Sequence, residues 1–137
     1  MELAQKHLIL HNIKPSVQRV FIMNYLLENK IHPTADMIFN ELYVKMPTLS
    51  RTTVYNTLKL LVEEKAVQMI TIDEKNVRYD ADTSRHAHFK CKGCGGVFDI
   101  ITSEVDAITV KESEEFIIDD VQIYCHGYCK KCMKNLI

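Results

Sequence analysis

The sequence predicts an α+β protein: an N-terminal winged helix-turn-helix domain followed by a small C-terminal α/β dimerisation domain with a four-cysteine zinc site. Three observations carry that expectation. Helical periodicity dominates the first 63 residues and then gives way to a β-hairpin pattern. The second half reads as short strands. Two Cys-x-x-Cys pairs, Cys91/Cys94 and Cys129/Cys132, stand either side of residues 95–128. The expected boundaries are residues 1–80 for the winged helix, 81–85 for a hinge and 86–137 for the dimerisation and zinc-binding domain.

The first helix follows Pro15-Ser16, with Val17, Val20, Phe21 and Leu27 at helical spacing. Thr34 caps a second helix carrying Met37, Ile38 and Leu42. Pro47 interrupts, and Ser50 is a good N-cap for a third helix, in which Val54, Leu58, Leu61 and Val62 share one face. Its other face presents Arg51, Thr52, Tyr55, Asn56 and Lys59. Two β-prone runs, Val67–Ile72 and Val77–Asp80, flank an Asp-Glu-Lys-Asn turn and complete a hairpin. Three helices and a hairpin in that order describe a winged helix. The outer face of the third helix is then suited to a major groove, where Arg, Asn and Tyr side chains reach phosphates, base edges and thymine methyls.

After Asp80, Ala-Asp-Thr-Ser reads as a hinge, followed by a strand through His86–Lys90, the first cysteine turn and a strand Val97–Ile101. Ser103 with Asp106 resembles a capping box opening a helix with Val105 and Ile108, and Phe116–Cys125 reads as a further strand. A unit of about 55 residues rarely buries enough apolar surface to fold alone. A metal and a partner chain are the expected supplements, and helix-turn-helix proteins commonly read two-fold symmetric operators as dimers.

Composition narrows the function classes. The chain has 137 residues, 47% hydrophobic and 26% charged, with a net charge of −1. No apolar run approaches the ~20 residues of a membrane-spanning helix. The opening Met-Glu-Leu-Ala-Gln-Lys lacks the apolar core of a secretory signal, so a reducing cytoplasm is expected. Residues 1–80 carry ten Lys or Arg against nine Asp or Glu, and residues 81–137 carry seven against nine. DNA affinity must therefore come from charge placement rather than charge excess.

Four thiolates in two short turns can surround a zinc ion tetrahedrally, and a fifth cysteine in a reducing compartment disfavours a disulfide framework. Lys90, Lys92, Lys130, Lys131 and Lys134 crowd around these cysteines and read as counter-charge to a tetrathiolate zinc. Cys125 is expected to be a small buried apolar residue. His86 and His88, two apart on a strand, present both imidazoles to one face, while Phe89 and Cys91 face the other. The histidines and the thiolates should serve different ions. Asp99 on the facing strand can supply a carboxylate, with Asp80 at the hinge and His32 before the second helix as further candidates. Such a mixed set suits Fe(II), Mn(II) or Zn(II).

In order and spacing, His32-Pro33-Thr34-Ala35-Asp36, Ser50 through Asn56, Arg78-Tyr79-Asp80, His86-Ala87-His88, Cys91-Lys92-Gly93-Cys94-Gly95 and Gly127 through Cys132 resemble the ferric uptake regulator family. The likeness covers nearly the whole chain. It implies a homodimeric, metal-dependent transcriptional repressor of the cytoplasm, not an enzyme, with a double-stranded, A·T-rich palindromic operator. It implies structural Zn2+ on Cys91, Cys94, Cys129 and Cys132, and regulatory Fe2+ or Mn2+ on His32, Asp80, His86, His88 and Asp99. It places Tyr55 at bases, Arg51, Thr52 and Asn56 near bases or phosphates, and Lys14 near the backbone or minor groove. Asp99 is similar to the peroxide-responsive branch, whereas iron sensors usually carry Glu there. Arg85 and Ala87 stand where many iron sensors place third-site ligands, so two metals per subunit are expected. In the peroxide-responsive reading, ferrous iron lets peroxide oxidise a ligand imidazole. The alternatives are an iron-responsive uptake regulator without peroxide sensing, a small non-heme iron enzyme built on a facial triad, and a zinc-stapled DNA adaptor that senses nothing.

Overall fold

Ser16, Thr34 and Ser50 each open a helix in the computed structural model by accepting a backbone N–H three residues on, from Arg19, Met37 and Thr53 at 3.2, 3.2 and 3.1 Å. The structure describes every residue except 74, 85, 101–113, 119 and 137. Two compact units emerge, Met1–Thr83 and Ser84–Ile137. Among the described residues no helix is long and apolar enough to cross a membrane.

The first unit contains α1 (Glu2–Leu10), α2 (Val17–Glu28), α3 (Ala35–Lys45), α4 (Arg51–Glu63), β1 (Gln68–Ile70) and β2 (Arg78–Asp80). The three expected helices are α2 to α4, and α1 is an addition. It has no side-chain cap, and only Ala4 and Leu8 of its residues are buried, while Leu3, Ile9 and Leu10 are exposed. That scatter of apolar residues conceals the inward stripe. Both α1 and α4 end in a left-handed residue that is not glycine, Asn12 (φ 61) and Lys65 (φ 61). In each case the next N–H reaches five residues back, Ile13 to Leu8 at 2.9 Å and Ala66 to Leu61 at 2.8 Å, and buries an apolar side chain.

On α4, Val54, Leu58 and Leu61 are buried as their spacing requires, and Thr57 joins them. Val54, Leu58 and Leu61 meet Leu8, Ile22, Met23, Leu26, Ile38 and Leu42 in one apolar cluster. The hairpin pairs antiparallel with Gln68 opposite Asp80 and Met69 opposite Tyr79. A third segment joins its edge: Thr34 bridges Arg78, and the Tyr79 N–H donates to the Pro33 carbonyl at 3.0 Å.

The second unit carries a three-stranded sheet of order β4-β3-β5, built from β3 (Ala87–Cys91), β4 (Val97–Ile100) and β5 (Ile123–Gly127), with a short α5 (Lys130–Met133). β3 pairs antiparallel with β4, which sets His88 opposite Asp99, and parallel with β5, which sets Cys91 opposite Gly127. The strand expected from Phe116 starts its regular pairing only at Ile123, and Phe116 and Ile117 are exposed. The helix expected from Ser103 and Asp106 lies outside the described residues.

Because Leu8 is fully buried in the core of the first unit, α1 is an integral element of that unit. Leu8→Ala is expected to lower its unfolding free energy by about 2–5 kcal/mol, read by urea denaturation. A change within about 0.5 kcal/mol would show that α1 is a detachable appendage.

Candidate metal centres and the exposed face of α4

The turn after β3 brings Cys91 and Cys94 against Cys129, which precedes α5, and Cys132 on its first turn. The four sulfurs lie within 4.8 Å of one another, with Cys94 Sγ 3.9 Å from Cys129 Sγ. Tetrahedral zinc with bonds of about 2.3 Å separates its sulfurs by about 3.8 Å, so this donor set fits zinc. Backbone N–H groups donate to Cys91 Sγ from Gly93, Cys129 and Cys94 at 3.3, 3.4 and 3.5 Å. The amides of Cys129 and Cys94 hold the Cys91 thiol down to about 6. Cys132, hydrogen-bonded to Cys91 and Cys129, is pushed up to about 12. A cation that draws all four into the thiolate form must therefore displace protons, Cys132's among them.

In the second unit His86 immediately precedes β3, His88 lies on it and Asp99 lies on β4. His86 Nε2 lies 3.2 Å from Asp99 Oδ1, and His88 Nε2 lies 3.4 Å from the same oxygen. The two rings are 4.5 Å apart, centre to centre. His86 Nδ1 is 2.7 Å from the Ser84 carbonyl, which only accepts, so that nitrogen carries the proton. The His86 Nε2 lone pair thus faces a carboxylate oxygen, an arrangement that needs either a second proton or a cation between the two. Two imidazoles and one carboxylate converging on one point fit a divalent transition metal.

In the first unit, His32 Nε2 lies 3.3 Å from Asp80 Oδ2. The Asp82 N–H donates to the other carboxylate oxygen at 2.9 Å. His32 takes a left-handed backbone conformation (φ 56), which costs a residue with a Cβ roughly 1–2 kcal/mol. Its carbonyl accepts from Arg78 Nη1 at 3.0 Å. In the sequence Arg78 belongs to the Arg-Tyr-Asp motif, and nothing in its spacing announces that contact.

All four α4 residues named for DNA, Arg51, Thr52, Tyr55 and Asn56, are exposed or partly exposed, as is Lys14. Lys14 and Asn56 line one groove of about 420 Å³, together with Arg19 and Thr53. Arg51 is held by its own fold: Nη1 pairs with Asp36 at 2.5 Å, and the guanidinium lies 4.6 Å above the Phe39 ring. Cys125 departs from expectation, because β5 turns it outward and it is exposed rather than buried. β5 is an edge strand whose described residues pair only with β3, and that position leaves Cys125 accessible.

Gly93 is tightly enclosed by the sulfur cluster. A Cβ at this position would lie 2.8 Å from Cys132 Sγ and 2.9 Å from Cys132 Cβ. Gly93→Ala is expected to weaken zinc retention about tenfold or more, read by competition with a chromogenic chelator. Retention equal to the parent chain would show that Cys132 is not held at the cluster.

Residues 11–126 match the sequence model of the Ferric uptake regulator family. The chain is 32% identical over 125 residues to the peroxide operon regulator of Bacillus subtilis, covering 90% of this chain and 86% of that protein. It is 30% identical over 125 residues to the peroxide-responsive repressor PerR of Staphylococcus epidermidis, covering 90% and 83%. Its fold is similar to that of a ferric uptake regulator from Francisella tularensis solved with iron, at TM-score 0.71 and 23% identity, covering 88% of this chain and 95% of that one. PerR from Streptococcus pyogenes is similar at TM-score 0.53 and 29% identity, covering 96% and 91%. With its four-sulfur cluster, its capped helices and winged hairpin, and a match across most of its length, the chain belongs to the ferric uptake regulator family.

Proposed function

We propose that this protein is a metal-dependent, homodimeric DNA-binding repressor that responds to peroxide and works in the cytoplasm. The observation that carries the reading is the convergence of His86, His88 and Asp99 on one point, on the opposite face of β3 from the sulfur cluster. Relatives named for peroxide response support it. In this reading Cys91, Cys94, Cys129 and Cys132 hold structural zinc. His32 and Asp80 complete a regulatory site with His86, His88 and Asp99, and the segment 81–85 is the hinge between the winged helix and the dimerisation domain. Ferrous iron bound by that set supplies the redox chemistry through which peroxide oxidises a ligand imidazole.

The residues of the chain do the rest. His32 and Asp80 belong to the winged-helix unit, and His86, His88 and Asp99 to the other. Completing one coordination shell therefore selects a single arrangement of the two units, and DNA affinity becomes linked to metal affinity. Tyr55 is the base-reading residue, with Arg51, Thr52, Asn56 and Lys14 at bases or phosphates of an A·T-rich palindrome.

Mobility-shift titration of a palindromic A·T-rich duplex is expected to show retardation that requires Mn(II) and is weakened at least tenfold by His86→Ala. Equal affinity with and without Mn(II) would instead indicate a zinc-stapled adaptor. Arg51→Ala is expected to reduce the slope of log K against log salt by about 1. Treating the Fe(II) form with peroxide is expected to add oxygen to the peptide holding His32 or to that holding His86 and His88, with none added to the Mn(II) form. Unmodified peptides in the iron form would leave an iron-responsive regulator as the better reading.

A further inference from the structure

We infer that Arg78 is a positioning residue for the regulatory metal, holding His32 in the backbone conformation that turns its imidazole toward Asp80. The inference rests on the proposal that His32 and Asp80 are ligands. Several contacts fasten 32–34 to β2, the His32–Asp80 pair among them, and Arg78 makes two. Its guanidinium Nη1 donates to the His32 carbonyl at 3.0 Å, and its backbone bridges Thr34. The Tyr79 N–H also donates to the Pro33 carbonyl.

The need for a side-chain clamp follows from the local chemistry. His32 is left-handed, a conformation that persists in a residue with a Cβ only when its surroundings over-determine it. Pro33 brings no N–H of its own to that turn. The guanidinium supplies a donor from across the hairpin edge, 46 positions along the chain. Asp80 lies two residues beyond Arg78 on β2, and residues i and i+2 of a strand share a face. One three-residue strand thus carries both a carboxylate ligand and the clamp on its imidazole partner. Lysine is a poor substitute, because it presents one compact ammonium on a flexible stem rather than a planar fork.

The test uses the full chain with its zinc in place, titrated with Mn(II) and followed by the electron paramagnetic resonance of the free ion. Arg78→Met is expected to weaken Mn(II) binding about tenfold with unchanged zinc content, the loss typical when a group that orients a ligand is removed. Arg78→Lys should fall between Arg78→Met and the parent. In a His32→Ala background, Arg78→Met should have no further effect, because its action passes through the missing imidazole. Parent-like Mn(II) affinity in Arg78→Met, or an undiminished loss in the His32→Ala background, overturns the role of Arg78. Parent-like affinity in His32→Ala alone overturns the ligand assignment beneath it. If Arg78→Met fails to fold, Arg78→Lys carries the same cycle, and additivity with His32→Ala is the overturning result.

Discussion

The four-sulfur junction ties the end of β3 to the segment that follows β5 and so closes the sheet of the second unit. That sheet depends on β3, which pairs antiparallel with β4 on one side and parallel with β5 on the other. Parallel pairing is slightly weaker per residue and cannot be made by a hairpin, so its register needs outside support. The junction supplies it at the end of the ladder, where Cys91 stands opposite Gly127 and the Lys92 N–H donates to the Gly127 carbonyl at 2.7 Å. A structural zinc contributes on the order of 10 kcal/mol to folding, comparable with the whole stability of a small domain.

The same strand carries the histidine chemistry on its other face. His88 is three residues before Cys91, an odd interval that places imidazole and thiolate on opposite sides of β3. The β3–β4 register puts Asp99 opposite His88. A slip of one residue would exchange the two faces and destroy both sites together. The sulfur junction therefore does more than stabilise: by pinning register, it fixes which face the imidazoles occupy. On the proposed reading this separates a permanent ion from an exchangeable one, since soft thiolates retain zinc while the imidazole and carboxylate set suits metals that come and go.

Much of the helical half was readable because polar caps declare themselves. Thr34 and Ser50 make the bonds their chemistry implies, and the spacing of Val54, Leu58 and Leu61 is the spacing of their burial. What escaped was signalled by no residue type. Helix α1 starts without a cap and stops at Asn12, and α4 stops at Lys65, both left-handed without glycine. The His-x-His and Cys-x-x-Cys spacings pointed to side chains that the structure does bring together, because strand and turn geometry are local. The clamp of Arg78 on His32 and the outward turn of Cys125 were not legible, because both depend on which strand lies alongside.

Arg51 shows how the fold tempers a residue proposed to meet DNA. Its pair with Asp36 is exposed, with 55% and 61% of the two side chains accessible, and its guanidinium also covers the Phe39 ring. An exposed pair of this kind contributes only about 0–1 kcal/mol, so a phosphate can displace the carboxylate at little cost. The pair still limits where the guanidinium rests before DNA arrives, at the first turn of α4, where the positive end of the helix dipole also favours an anion. A long, rotamer-rich side chain loses less entropy on binding when it is already confined. On the proposed reading, Asp36 and Phe39 on α3 thus prepare Arg51 for the DNA backbone and leave base recognition to the side chains beyond them, Tyr55 first.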